Sequence, residues 1–107
     1  MQKTIWISYD FGVKGDYKNL YRWLDNFDAV ECGDNLALIK LEHSKDETLP
    51  DYIKREIAAS VTISNNDRIY IIWKNQEGLT KGRFIFGKRR ASPWIGYGDS
   101  VSDEDDI

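Results

Sequence analysis

The alternation of apolar and polar positions along the chain predicts five β-strands. The runs at 4–10 and 68–74 are rich in β-branched and aromatic residues, and Gly, Asn and Asp, which favour turns, stand between runs. The turn Gly33-Asp34-Asn35 separates two of the runs as in a β-hairpin. The predicted strands are residues 4–10, 29–32, 36–42, 68–74 and 81–88.

Two further stretches repeat their apolar residues every three or four positions, which is the spacing of one helix face. The first covers about residues 17–27 after Asp16, a typical N-cap, and Trp23 lies off its apolar stripe. That stripe consists of Tyr17, Leu20, Tyr21, Leu24 and Phe27. The second begins at Thr48, has proline in its first turn, and runs to about Ser60.

The order of these elements predicts an α+β domain of ferredoxin-like type. A β-α-β-β-α-β order with right-handed crossovers gives an antiparallel sheet with both helices on one face, and here a C-terminal strand is added. The other face needs a covering partner, for which homodimerisation is the simplest solution. Its aromatic candidates are Trp6, Tyr70, Trp73, Phe84 and Phe86. We expect one domain with a C-terminal arm over 1–98 and a disordered acidic tail over 99–107.

The composition is that of a globular protein without a membrane segment. No apolar run approaches the roughly 18 residues of a membrane span, and no signal peptide is predicted at the start. The single cysteine, Cys32, excludes an internal disulfide framework and is expected in the core, and with one histidine (His43) it excludes a usual zinc site. These features predict a cytoplasmic protein.

The charge is unevenly distributed near the C-terminus. Five acidic residues within 99–107 exceed the net charge of −3, so the rest of the chain is slightly basic. Just upstream, cations alternate with Phe84 and Phe86, a pattern that predicts phosphate neutralisation and base stacking. The alternative is an edge strand with its phenylalanines in the core and its cations outward. The nucleic-acid-binding candidates are Lys81, Arg83, Lys88, Arg89 and Arg90, and the partner-binding candidates are Trp94 and Tyr97.

The other candidate site is Asp10, at the end of the first strand. Ligands gather at the C-terminal ends of strands in α/β sheets, and a carboxylate is a ligand for magnesium. Asp10 is therefore a candidate metal-binding and catalytic residue. The alternative is a structural role, in which Asp10 hydrogen-bonds the loop from Gly12 to Gly15.

Two motifs resemble a known family. The strand end Ser8-Tyr9-Asp10 with the helix that follows, and the entry into the strand at Asn66-Asp67-Arg68, resemble small ferredoxin-fold proteins related to CRISPR-associated protein two, including bacterial relatives outside CRISPR loci. The likeness covers roughly residues 4–73. It implies a homodimer in which the two copies of Asp10 face each other. In some members of the family such aspartates are reported to bind magnesium for phosphodiester cleavage, whereas others are scaffolds for DNA and an integrase.

Together these observations predict a small nonenzymatic, homodimeric scaffold for nucleic acid or for a protein that handles it, with no cofactor required. The alternative is a magnesium-dependent endonuclease that uses Asp10 of each subunit. A third hypothesis is a protein-only interaction or regulatory module that docks through Trp94 and Tyr97.

Overall fold

Five antiparallel β-strands and two α-helices make up residues 2–43 and 46–99, the part of the chain that the structure, a computed structural model, describes. In chain order they are β1 (Lys3–Asp10), α1 (Tyr17–Asn26), β2 (Val30–Glu31), β3 (Leu36–Leu41), α2 (Leu49–Ser60), β4 (Arg68–Lys74) and β5 (Thr80–Phe86). The strand order in the sheet is β2-β3-β1-β4-β5. The sequence therefore predicts every element to within two residues, and β1 is central as expected.

The two faces of the sheet differ because side chains alternate along each strand. On β1, Ile5 and Ile7 are fully buried whereas Trp6 and Ser8 are exposed. Residues that lie opposite each other on neighbouring strands share a face, so Ile7 packs beside Ala37 and Ile71. We call the side of Ile7 the helix-covered face, because its residues form one core with both helices, and the side of Ser8 the open face.

Helix α1 is rotated relative to the stripe expected from its sequence. Trp23 is buried, with its ring 4.6 Å from that of Phe27, whereas Tyr21 is about half exposed. The helix thus presents Leu20, Trp23 and Leu24 to the core. The expectation that Trp23 lies off the buried face is wrong, because its indole packs against Phe27 at the core, whereas Tyr17 and Phe27 of the expected stripe pack against the core as predicted.

Both predicted helix caps are confirmed. The carboxylate of Asp16 accepts a hydrogen bond from the backbone N–H of Asn19, and the hydroxyl of Thr48 accepts one from that of Asp51. Asp16 also accepts from the N–H of Thr62, at 2.9 Å, which ties the start of α1 to the chain after α2.

A β-bulge in β5 changes which aromatic residues lie on the open face. Tyr70 is opposite Phe84 and Ile69 is opposite Phe86, so Ile85 is the extra residue. Ile85 is buried and Phe86 packs on the core, because a bulge lets two successive side chains lie on the same side. Trp6, Tyr70 and Phe84 lie on the open face as expected, but Trp73 and Phe86 pack against the core on the helix-covered face.

Three further expectations can be compared with the described residues. Within residues 2–43 and 46–99, no helix is long and apolar enough to cross a membrane. Cys32 is exposed, so its expected place in the core is wrong: it follows the two-residue strand β2 at the edge of the sheet, where no layer covers it. The acidic tail lies outside the described residues except for Asp99, which is exposed.

Candidate functional site

The open face has a shallow hollow of about 260 Å³ at the end of the central strand. Strands β1, β4 and β5 contribute to it, and so does the chain that follows β5. Its lining is polar, cationic and aromatic, and consists of Ser8, Asp10, Arg68, Tyr70, Phe84 and Arg89. We call this hollow the basic hollow.

Asp10 is paired with two arginines at the rim of the basic hollow. Arg68 is its direct cross-strand neighbour, and the Arg68 Nη2 to Asp10 Oδ2 distance is 2.9 Å. Arg90 approaches the same oxygen through Nη1, at 3.8 Å. The Asp10 side chain remains about half exposed. Since the two guanidinium groups already neutralise its charge, Asp10 acts in this geometry as an anchor for arginines.

Two aromatic rings form the floor of the basic hollow. The rings of Tyr70 and Phe84 meet edge to face, with centroids 4.7 Å apart. The guanidinium carbon of Arg89 lies 5.7 Å from the Tyr70 centroid and 5.4 Å from that of Phe84, and that of Arg68 lies 5.7 Å from Phe84. These are cation–π distances, so the rings hold two cations in place, and Arg68 is held further by its hydrogen bond to Asp10.

Gly87 directs the chain after β5 back over the start of β4. It has a φ of +74°, and a Cβ built there would lie 2.7 Å from the carbonyl oxygen of Asp67 and from Cγ of Arg68. Glycine alone fits both the backbone angle and the close approach. The turn carries Arg89 to the aromatic floor and Arg90 to Asp10, where Arg90 also donates to the carbonyl of Asn66, at 3.5 Å.

The structural role considered for Asp10 is performed by another carboxylate, Asp67. Asp67 is only 1% exposed, and its two oxygens accept hydrogen bonds from the backbone N–H groups of Gly12, at 3.3 Å, and Ser64, at 2.8 Å. It thereby joins the loop after β1 to the loop before β4. The interpretation of Asp10 as the residue that hydrogen-bonds the Gly12–Gly15 loop is not what the structure has.

The five cations predicted for nucleic acid do not form one patch. Arg89 and Arg90 lie at the basic hollow, whereas Lys81 and Arg83 are opposite Trp73 and Ile71 and so belong to the helix-covered side of β5. Lys88 is exposed in the turn between them. Trp94 and Tyr97, the candidate partner-binding residues, are 70% and 85% exposed and do not line the hollow.

Arg68 is a site residue that the sequence did not single out, and Tyr70 was expected only as an aromatic residue of the open face. A signal for them was present, because the predicted order pairs the end of β1 with the start of β4 in antiparallel fashion. Arg68 then lies opposite Asp10, and Tyr70, two residues on, shares its face. The position of Arg89 had no such signal, since it depends on the turn at Gly87.

Comparison with known proteins does not indicate a function for this site. Comparison with protein-family models, curated proteins and solved structures finds no match to this chain. The resemblance to relatives of CRISPR-associated protein two therefore stays a prediction, and the site is interpreted from its own chemistry. Three arginines and one carboxylate leave an excess of two positive charges beside two aromatic rings, which suits an anionic ligand that carries a planar group.

Proposed function

We propose that this protein is a nonenzymatic nucleic-acid-binding protein whose contact surface is the basic hollow on the open face. The observation that carries the proposal is the convergence of Arg68, Arg89 and Arg90 on one end of the sheet, with two of them seated over the Tyr70 and Phe84 rings. Arginine binds phosphate in bidentate fashion, and aromatic rings stack on unpaired bases. Either feature is ordinary alone, and their combination is typical of nucleic-acid contacts.

The endonuclease hypothesis is less well supported by the surroundings of Asp10. Magnesium is bound through oxygen ligands, and the carboxylate oxygen that would serve it accepts a hydrogen bond from Arg68 with Arg90 nearby. A divalent cation at this position would stand beside two guanidinium charges. Among the described residues, no three His, Cys, Asp or Glu side chains form a group that could hold a metal ion. Metal-dependent cleavage stays a prediction, and the experiment below includes it.

The proposal is tested by measuring how the protein binds fluorescein-labelled oligo(U) and oligo(dT) of eight nucleotides. Binding is followed by fluorescence anisotropy at several salt concentrations. The test variant is Arg89→Gln with Arg90→Gln. The matched control is Lys81→Gln with Arg83→Gln, which removes the same charge from the helix-covered side of the same strand region. We expect the test variant to bind the oligonucleotides about tenfold more weakly than the wild type. We also expect it to reduce the slope of log affinity against log salt concentration by more than the control variant does.

Three outcomes of this experiment oppose the proposal. Equal losses in both variants would mean diffuse attraction to any cation, and no binding by the wild type would leave a protein-only module that docks through Trp94 and Tyr97. Magnesium-dependent cleavage that is lost in Asp10→Ala would replace the binding function by the endonuclease. Unchanged binding and folding in Asp10→Ala would agree with the proposal, because Arg68 and Arg89 keep their ring contacts and Arg90 keeps its hydrogen bond to the carbonyl of Asn66.

The proposal extends to fold type and assembly. We assign the domain to a ferredoxin-like variant on the basis of the order β2-β3-β1-β4, with β5 added outside β4. The expected homodimer and cytoplasmic location stay predictions. The mass of the protein in solution, measured by light scattering during gel filtration, distinguishes one copy from two.

A further inference from the structure

A second hollow lies on the open face at the other end of β1. Its volume is about 490 Å³, and it surrounds Trp6, an exposed aromatic residue that the basic hollow does not include. Its lining consists of Gln2, Lys3, Thr4, Trp6, Lys74, Asn75 and Gln76. It thus combines one indole ring with two lysines and three side-chain amides.

The two hollows lie one after the other along the same pair of strands, β1 and β4. Trp6 and Ser8 are successive open-face residues of β1, and their cross-strand neighbours on β4, Ile72 and Tyr70, are successive open-face residues as well. From Thr4 to Asp10 the strand covers about 20 Å. At about 3.4 Å per stacked nucleotide, and about twice that when the strand is extended, this length suits about three to six nucleotides.

We infer that the hollow around Trp6 is a second nucleotide-binding subsite, and that the open face holds a single strand of nucleic acid running from Arg89 to Lys74. This inference rests on the proposed function and adds the class of substrate. Trp6 stacks on an unpaired base, and Lys74 contacts a phosphate. Gln2 and Gln76 supply donors and acceptors to a base edge.

The choice of a single strand follows from where Trp6 lies. Its ring is on the sheet surface between Leu38 and Ile72, its direct neighbours on the two flanking strands, and it is 38% exposed. A base inside a duplex has both of its faces covered by neighbouring bases, so it cannot stack on this ring. An unpaired base can, which makes this surface selective for single strands.

The test compares oligo(U) of two, four and eight nucleotides with an eight-base-pair duplex, using wild type and Trp6→Leu. Trp94→Leu is the matched control, because it makes the same change at an indole on the C-terminal arm. We expect Trp6→Leu to weaken eight-nucleotide binding about tenfold and to leave two-nucleotide binding, at the basic hollow, within twofold of wild type. Trp94→Leu is expected to change neither.

A second variant, Trp6→Phe, separates stacking from damage to the sheet. It keeps an aromatic face, so we expect it to restore most of the eight-nucleotide affinity that Trp6→Leu loses. If Trp6→Leu and Trp6→Phe lose the same affinity with unfolding midpoints equal to that of wild type, stacking on Trp6 is refuted.

Failure of the inference and failure of the proposed function give different results. If the wild type binds oligo(U), and Arg89→Gln with Arg90→Gln weakens that binding while Trp6→Leu does not at any length, the proposed function stands and the second subsite is refuted. Duplex binding as strong as single-strand binding also refutes it. If no oligonucleotide binds, both the inference and the proposed function are wrong.

Discussion

The two faces of the sheet are built from the same strands, yet they are held by different kinds of interaction. On the helix-covered face, Ile5, Ile7, Ile39, Ile69 and Ile71 are at most 1% exposed, and they pack against both helices. On the open face, most neighbours of these residues are charged, hydroxylated or aromatic, two (Leu38 and Ile72) are aliphatic, and none of them is fully buried. The helix-covered face is therefore held by close packing of apolar side chains, and the open face mainly by ion pairs and by contacts between cations and aromatic rings.

The two faces are therefore expected to respond differently to substitution. A close-packed face loses free energy of unfolding with any change of volume, because its neighbours cannot collapse fully. A half-exposed face loses little, because water replaces what is removed. We therefore expect adjacent residues on one strand to differ sharply, with stability on one side and binding on the other.

The largest expected effect is on β1, at neighbouring residues of opposite faces. Ile7→Ala should lower the free energy of unfolding by about 3 kcal/mol, since it leaves a cavity between Ala37 and Ile71. Ser8→Ala should change it by less than about 0.5 kcal/mol. Urea unfolding followed by circular dichroism measures both, and similar losses in the two variants would contradict the distinction between the faces.

The second prediction compares the effect on stability of two aspartates, Asp10 at the end of β1 and Asp67 just before β4. Asp67→Asn should cost about 2 kcal/mol, because the Gly12 and Ser64 N–H groups donate to different carboxylate oxygens and the amide NH2 that replaces one of them cannot accept. Asp10→Asn should cost less than about 1 kcal/mol, since its ion pair with Arg68 is partly exposed. The same urea titration tests this pair, and a larger loss at Asp10 would make Asp10 the structural carboxylate after all.

The third prediction concerns Gly82, a residue of β5 whose backbone lies against the Tyr70 ring of the aromatic floor. A Cβ on Gly82 would lie 2.8 Å from Cζ of Tyr70, so Gly82→Ala should displace that ring on the open face. We expect about fivefold weaker oligonucleotide binding with the fold retained. Gly98→Ala is the control, because no atom lies within 4 Å of a Cβ there. Unchanged binding by Gly82→Ala would mean that the position of Tyr70 does not matter for the ligand.

The smallest predicted effect concerns pH and the N-cap of α1. Hydrogen bonds donated by the Thr62 N–H and the Asn19 side chain hold the pKa of Asp16 below its ordinary value of 3.8. The stabilisation is therefore fully present above that value and is lost as the pH falls through the lower, native pKa. We expect the difference in urea midpoint between wild type and Asp16→Asn to shrink between pH 5 and pH 2, and a difference that stays constant over this range would contradict the prediction.

The sequence predicted the elements far better than the site, for a physical reason. Alternation and helical spacing are local, so the ranges of β1, β4 and both helices were predictable, as were the caps at Asp16 and Thr48. The rotation of α1 depends on which large ring fits the core. The spacing of apolar residues alone did not indicate that Trp23 is buried and Tyr21 exposed. The separation of Arg83 from Arg89 depends on a bulge and on one glycine angle, which cation spacing does not encode.

The turn at Gly87 has a consequence for how this chain can be divided. Among the described residues, none beyond Phe86 belongs to the buried core cluster or packs against it, whereas two of the three arginines of the basic hollow follow the turn. The segments that form the core and the segment that supplies Arg89 and Arg90 are thus separate stretches of the polypeptide. A shortened chain that stops at Gly87 would keep its architecture and give up most of its positive charge at the hollow. Under the proposed function, substitutions in the segment after Gly87 would therefore change ligand affinity without changing the fold.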